Sequence, residues 1–214
     1  MKIIVAPDQK LRIQTKRVKK ITPGLLATIT EMVKLTKTFV DPEGVGLAST
    51  QIGLGEQFFV AKVPNYDARG DGERGAPARS RRSEATRMHD GAVSRQDPKQ
   101  FIAKQNTEQF ITVINPKILS TGKRTKKYLE GCLSIPNYYG EINRFTNIKV
   151  SYQDQTGIQI NANLKGILAW IFQHEMDHLS GILFPDRVLE QKGKFYKVVG
   201  KDKAGADIFE EITL

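Results

Sequence analysis

The segment that most constrains the fold is the apolar run Asn163-Leu164-Lys165-Gly166-Ile167-Leu168-Ala169-Trp170-Ile171-Phe172-Gln173-His174-Glu175-Met176-Asp177-His178-Leu179. It contains no proline and Gly181 follows it as a stop, so it predicts a largely buried helix over 163–179. A buried helix that carries two histidines, a glutamate and an aspartate must satisfy those groups, and one divalent cation satisfies several at once. His174 and His178 are four residues apart, which stacks them on one helix face and lets both imidazoles reach a single ion. Glu175 follows His174 directly, so its carboxylate stands beside that ion and can take the proton of a bound water. This is the chemistry of a hydrolase.

A two-histidine helix also serves thermolysin-type peptidases, which add a downstream glutamate or histidine as third ligand. Here the remaining histidine, His89, lies in a polar, glycine-rich stretch, and Glu190 is a conceivable ligand. A thiolate binds a borderline-soft divalent ion well, which favours the single cysteine of the chain, Cys132, with water in the fourth tetrahedral position. Taken alone, Cys132 or either histidine reads as an ordinary core residue. The joint pattern points to a metal centre.

Three motifs occur in the order Gly44-Val45-Gly46-Leu47-Ala48-Ser49-Thr50-Gln51, Glu130-Gly131-Cys132-Leu133-Ser134 and Gln173-His174-Glu175-Met176-Asp177-His178. In them the chain resembles the peptide deformylase family, metallohydrolases that remove the formyl group from the N-terminal formylmethionine of new polypeptides. Ser49 and Thr50 stand where that family usually has alanine and often proline, and Ser180 where it commonly has aspartate or asparagine. The resemblance implies Cys132, His174 and His178 as ligands and Glu175 as the proton-transfer group. It further implies the Gln51 amide and the Leu133 backbone N–H as donors to the oxyanion of the tetrahedral intermediate. A substrate backbone would lie along Val45 and Gly46 as an added strand. Val45 and Glu130 are implied as neighbours of the substrate.

Helical spacing adds Trp170 and Ile171, one turn before His174, and Ile167, two turns before, as lining for a methionine pocket. The same stripe is equally what a core helix displays. The resemblance implies one divalent ion as cofactor, Fe2+ in the cell with Zn2+, Ni2+ or Co2+ as substitutes, and the Cys/His donor set is compatible with all four. The implied partners are N-formylmethionyl nascent peptides, with a transient ribosome contact and no specific DNA binding.

Elsewhere, Thr22-Pro23-Gly24 predicts a helix start, with the helix ending before Asp41-Pro42. Strands are predicted at 57–63, at 110–119 (ended or bulged at Pro116), at 147–152 and, after a turn at 155–157, at 158–160; 194–199 and 208–212 read as a hairpin. The expected fold class is α+β, with short, mostly antiparallel strands packed around a central buried helix carrying the histidine pair. The 214 residues suit a single catalytic domain, 1–214. Between Pro64 and about Gln100 the sequence lacks Leu, Ile, Phe and Trp, so 64–100 is expected to be a disordered polar and basic insertion.

Arg79-Ser80-Arg81-Arg82 and a net charge of +10 would attract RNA, and a protein that only bound nucleic acid is the competing class. The absence of aromatic residues among these arginines favours a solvated linker, and such a binder would leave the metal pattern unexplained. With 39% hydrophobic residues and no long apolar run, no membrane span is expected. One cysteine cannot form an internal disulfide, and no leader-like segment opens the chain, so a cytoplasmic location is expected.

Overall fold

The computed structural model describes residues 1–64 and 110–213, and the insertion expected at 64–100 falls, from residue 65 onwards, outside the described residues. The described chain is α+β with two antiparallel sheets. The larger sheet orders its strands β1 (Gly46–Ala48), β2 (Phe58–Lys62), β3 (Phe110–Thr121), β6 (Asn147–Gln153) and β7 (Gln159–Lys165). The smaller orders β4 (Thr125–Cys132), β5 (Ile135–Phe145), β8 (Phe195–Lys201) and β9 (Asp207–Ile212). Three α-helices occur among the described residues: α1 (Pro23–Lys37), α2 (Gly166–Leu179) and α3 (Phe184–Gln191).

Strand periodicity explains how the sheet is covered on both faces. Phe59 and Ala61 of β2 join a core with Ile111, Val113, Val150 and Ala162 under Leu168, Phe172 and Leu179 of α2. The alternate residues Phe58 and Val60 face the other way, with Leu47 and Ile114, and meet Leu25, Ile29 and Met32 of α1. A third cluster sets Phe184 and Val188 of α3 against Ile142 and Phe195 of the smaller sheet.

Helix α1 begins as expected, with the Thr22 side chain accepting from the Leu25 N–H and proline in its first turn. Helix α2 begins three residues later than expected. Ile160, Ala162 and Leu164 are buried in alternation with exposed neighbours, so 163–165 complete β7 instead of opening the helix. The helix stops as expected, at Ser180, and Gly181 follows in the left-handed region with φ +72°. A Cβ at Gly181 would also overlap the Arg12 carbonyl oxygen, so the chain can pass there only as glycine.

At Pro116 the chain bulges without ending the strand: β3 runs twelve residues, with its register against β6 shifted between Ile114 and Lys117. Asn115 takes the left-handed conformation there (φ 52°). Its side chain accepts from the Val18 N–H at 2.8 Å and donates to the Val18 carbonyl at 3.0 Å and to Gln153 at 2.8 Å, so it pairs with Val18 as a strand would.

The N-terminal arm crosses the molecule. Ile4 N–H donates to the Gln51 carbonyl (2.8 Å), Ala6 N–H to that of Ser134 (2.9 Å) and Thr15 N–H to that of Leu179 (2.9 Å), which ties the segments of all three motifs to one stretch of chain. Among the described residues, no helix is long and apolar enough to cross a membrane.

Candidate active site

Cys132 is the last residue of β4, and His174 and His178 face it from α2. One ligand atom from each, the thiol sulfur and two ring nitrogens, lies within 4.8 Å of the others. Cys132 Sγ is 3.2 Å from His178 Nε2 and accepts from the Ser134 N–H at 3.4 Å. His174 Nδ1 is 2.9 Å from Glu130 Oε2, which orients the ring and leaves Nε2 for an ion. Burial and the neighbouring His174 hold His178 well below the ordinary histidine range, in the neutral form a ligand requires. Burial alone would also lower His174, but its hydrogen bonds with Cys132 and Glu130 outweigh this and raise it well above its ordinary value. Among the described residues, Glu175 Oε2 and His178 Nδ1 are buried without a hydrogen-bond partner. A cysteine sulfur, two imidazoles and a carboxylate with one unpartnered oxygen beside them fit a divalent ion of the zinc or ferrous type.

Glu175 is buried, and burial pushes its carboxyl up to about 7. The backbone of β1 sits directly against it, since a Cβ at Gly46 would overlap Glu175 Oε1. Gln51 occupies a short 3-10 turn, Ser49–Ile52, and is 2% exposed. Its Oε1 accepts from the Ala48 N–H at 2.8 Å, so its amide NH2 points into the site, where it donates to Ser134 Oγ (3.1 Å) and Cys132 Sγ (3.4 Å).

Gly46, Gln51, Cys132, His174 and Glu175 line a cavity of about 170 Å³ together with Val45, Leu133, Trp170 and Ile171. Two expected pocket residues are placed differently. Ile167 is 51% exposed and does not line the cavity, because its side chain leaves the helix on the solvent side. Glu130 does not line it either. It is fully buried and accepts from Arg144 Nε (2.7 Å) and Nη2 (2.9 Å) and from Trp170 Nε1 (2.8 Å), so its carboxylate is taken up by these donors and by His174. Burial would push its carboxyl up, but the hydrogen bonds from Arg144 and His174 win and hold it at about 2. Glu190, the alternative ligand, instead pairs with Arg187 at 2.7 Å near the surface.

Sequence reading missed Arg144 and gave Ser134, although it stands in the second motif, no role. Arg144 Nη1 also donates to Asp177 Oδ2 at 2.6 Å, and Arg187 Nη2 to Asp177 Oδ1 at 2.6 Å, so the acidic residue inside the third motif is held by two arginines. The one available signal was Asp177 itself, an ionised group on a buried helix that had to have a cationic partner. Trp170 is fixed by stacking on Tyr128, with centroids 5.1 Å apart and planes 3° from parallel.

Comparison with known proteins gives the same answer from three directions. A family model described as polypeptide deformylase matches residues 1–194. A peptide deformylase from Bradyrhizobium sp. strain BTAi1 is 30% identical over 207 residues, covering 93% of this chain and 97% of that protein. One from Thermotoga maritima is 34% identical over 191 residues, covering 89% and 88%. The crystal structure of peptide deformylase from Thermotoga maritima has a TM-score of 0.63 at 33% identity, over 87% of this chain and 95% of that one. A peptide deformylase structure from Synechococcus elongatus, in complex with actinonin, has a TM-score of 0.62 at 30% identity, over 87% and 79%. Sequence match, near full-length relatives and shared fold agree: the chain belongs to the polypeptide deformylase family.

Proposed function

We propose that this protein is a peptide deformylase that hydrolyses the N-terminal formyl group of formylmethionyl peptides, with Cys132, His174 and His178 holding one divalent ion. The observation that carries this reading is the buried Glu175 carboxylate, its Oε2 without a partner among the described residues, beside the Cys/His cluster in a cavity that Val45, Leu133, Trp170 and Ile171 also line. In this reading α2 is the central helix of the fold, supported by its packing under the larger sheet. A divalent ion held there supplies the Lewis acidity that makes a water nucleophilic near neutral pH and polarises a carbonyl. Fe2+ is the ion we assign in the cell, on family grounds.

Glu175 accepts the proton of the attacking water and returns it to the departing amine; its raised pKa keeps both forms within reach at neutral pH. The Gln51 amide, aimed by Ala48 and Ser134, and the Leu133 N–H donate to the oxygen that becomes negative as the carbonyl is attacked. The peptide backbone runs along Val45 and Gly46, and the methionine side chain enters beside Trp170 and Ile171. Glu130, fixed by Arg144, holds His174 in position. An unpaired thiol in the ligand set suits the reducing cytoplasm, and a transient ribosome contact rests on the net charge of +10.

The deciding experiment measures formate released from formyl-Met-Ala-Ser by protein prepared anaerobically with ferrous iron, beside the Glu175→Ala variant and an unformylated control. Formate from the wild type alone is expected. No formate from protein that carries one metal per chain would overturn the reading.

A further inference from the structure

A row of charges of alternating sign runs from the surface of α3 to the ring of His174. Its outermost member is Glu190, which accepts from Arg187 Nη1 at 2.7 Å. Arg187 grips the Asp177 carboxylate with two donors, Nη2 on Oδ1 at 2.6 Å and Nε on Oδ2 at 3.1 Å. Arg144 donates from Nη1 to the same Oδ2 at 2.6 Å and gives its Nε and Nη2 to Glu130, whose Oε2 is 2.9 Å from His174 Nδ1. Of the two arginines, Arg187 is the outer one, its side chain 28% exposed against 7% for Arg144. It does not line the cavity.

The division of donors decides what Arg187 does. Asp177 and Glu130 are both buried, and Arg144 stands between them. Arg187 is the partner of Asp177 Oδ1 and shares Oδ2 with Arg144. Without Arg187, one guanidinium would have to serve two buried carboxylates, and a buried carboxylate oxygen left without a donor is costly. Asp177 would then compete for donors that are committed to Glu130. The loser is the contact at His174 Nδ1, which sets the proton position on that ring and the direction of its Nε2.

Resting on the proposed metal-dependent reading, we infer that Arg187 is a positioning residue for the metal centre: by gripping Asp177 it leaves Arg144 free for Glu130, which then fixes the His174 ring. Helix α3 does not depend on this grip to stay in place. Phe184 and Val188 pack it on the smaller sheet, and Asp186 caps it by accepting from the Leu183 N–H at 2.7 Å. The consequence of losing Arg187 therefore falls on the ligand and not on the seating of the helix.

The test titrates Co2+ against a chromophoric chelator and records the visible spectrum of the Co2+ form for the wild type, Arg187→Ala, Arg187→Lys and Glu190→Gln, with the unfolding temperature of each metal-free protein beside it. Arg187→Ala should bind Co2+ about tenfold more weakly and shift its absorption bands, the low end of what losing a partner beyond the ligands costs. Arg187→Lys keeps the charge but cannot grip two oxygens at once, so it should restore the unfolding temperature while Co2+ binding stays about threefold weak. Glu190→Gln leaves the grip on Asp177 intact and should match the wild type. A purely structural residue would lower the unfolding temperature and leave Co2+ affinity and spectrum unchanged, and that result in Arg187→Ala would overturn the inference while the deformylase reading stands. Should Arg187→Ala fail to fold, Arg187→Lys decides: weaker Co2+ binding at the wild-type unfolding temperature supports the inference, and wild-type binding overturns it. A wild type that binds no Co2+ would overturn the metal reading and the inference together.

Discussion

The backbone of Gly46 lies directly against the Glu175 carboxylate, which leaves no room for a side chain at position 46. A methyl group at Gly46 would overlap the carboxylate, so Gly46→Ala should push Glu175 aside and lower kcat by about 100-fold with metal content unchanged. Steady-state kinetics beside metal analysis checks this, and full activity would show that the contact is unimportant. Glu175→Gln keeps the volume but cannot take a proton, and should lose about 100-fold to 10,000-fold in kcat while still binding metal. At this scale the sequence was informative where chemistry and spacing coincide. Cys132, His174, Glu175 and His178 were readable because ordinary core packing rarely places those residue types at that spacing. Gln51 was reached only through resemblance, since a glutamine in a glycine-rich loop carries no signature of its own.

Between elements, the supporting charges come from strands far away in sequence. Arg144 on β5 lies between Glu130 on β4 and Asp177 on α2, and all three are buried. Replacing it with leucine leaves two carboxylates buried without that cation, so Arg144→Leu should destabilise the fold by about 3–5 kcal/mol, measurable by urea denaturation. Acid should weaken the same link. The folded-state pKa of Glu130, about 2, lies below its ordinary 4.5, so its contribution is fully present above about pH 4.5. It should drain away as pH falls from about 4.5 towards 2, and urea midpoints measured across that window test the sign. Only the need of Asp177 for a cation was legible beforehand, because an arginine on an ordinary alternating strand does not announce its partner. The misplaced start of α2 has a different cause: at 163–165 the two-residue strand period and the helical run overlap in one apolar stretch, and burial decided for the strand.

For the whole molecule, an ion held by Cys132, His174 and His178 would be a ligand of the native state, because only folding brings these three side chains together. With free metal at about 100 times its dissociation constant, binding adds about 2.7 kcal/mol, so chelation should lower Tm by roughly 5 to 10 °C. An unchanged Tm after complete metal removal would contradict a preassembled site of this kind. The α+β class and most strands were legible from alternation, whereas the division into two sheets was not, since pairing between distant strands leaves no local trace.

The N-terminal arm has a consequence in time. It is among the first parts of the chain to be made, yet the carbonyls it binds belong to Gln51, Ser134 and Leu179. Thr15 and its partner Leu179 are 164 residues apart, which at about 5–20 residues per second is roughly 8 to 33 s of synthesis. During elongation only the Gln51 partner emerges early, so the arm stays incompletely docked until the segment of the last motif supplies Leu179 and closes the molecule.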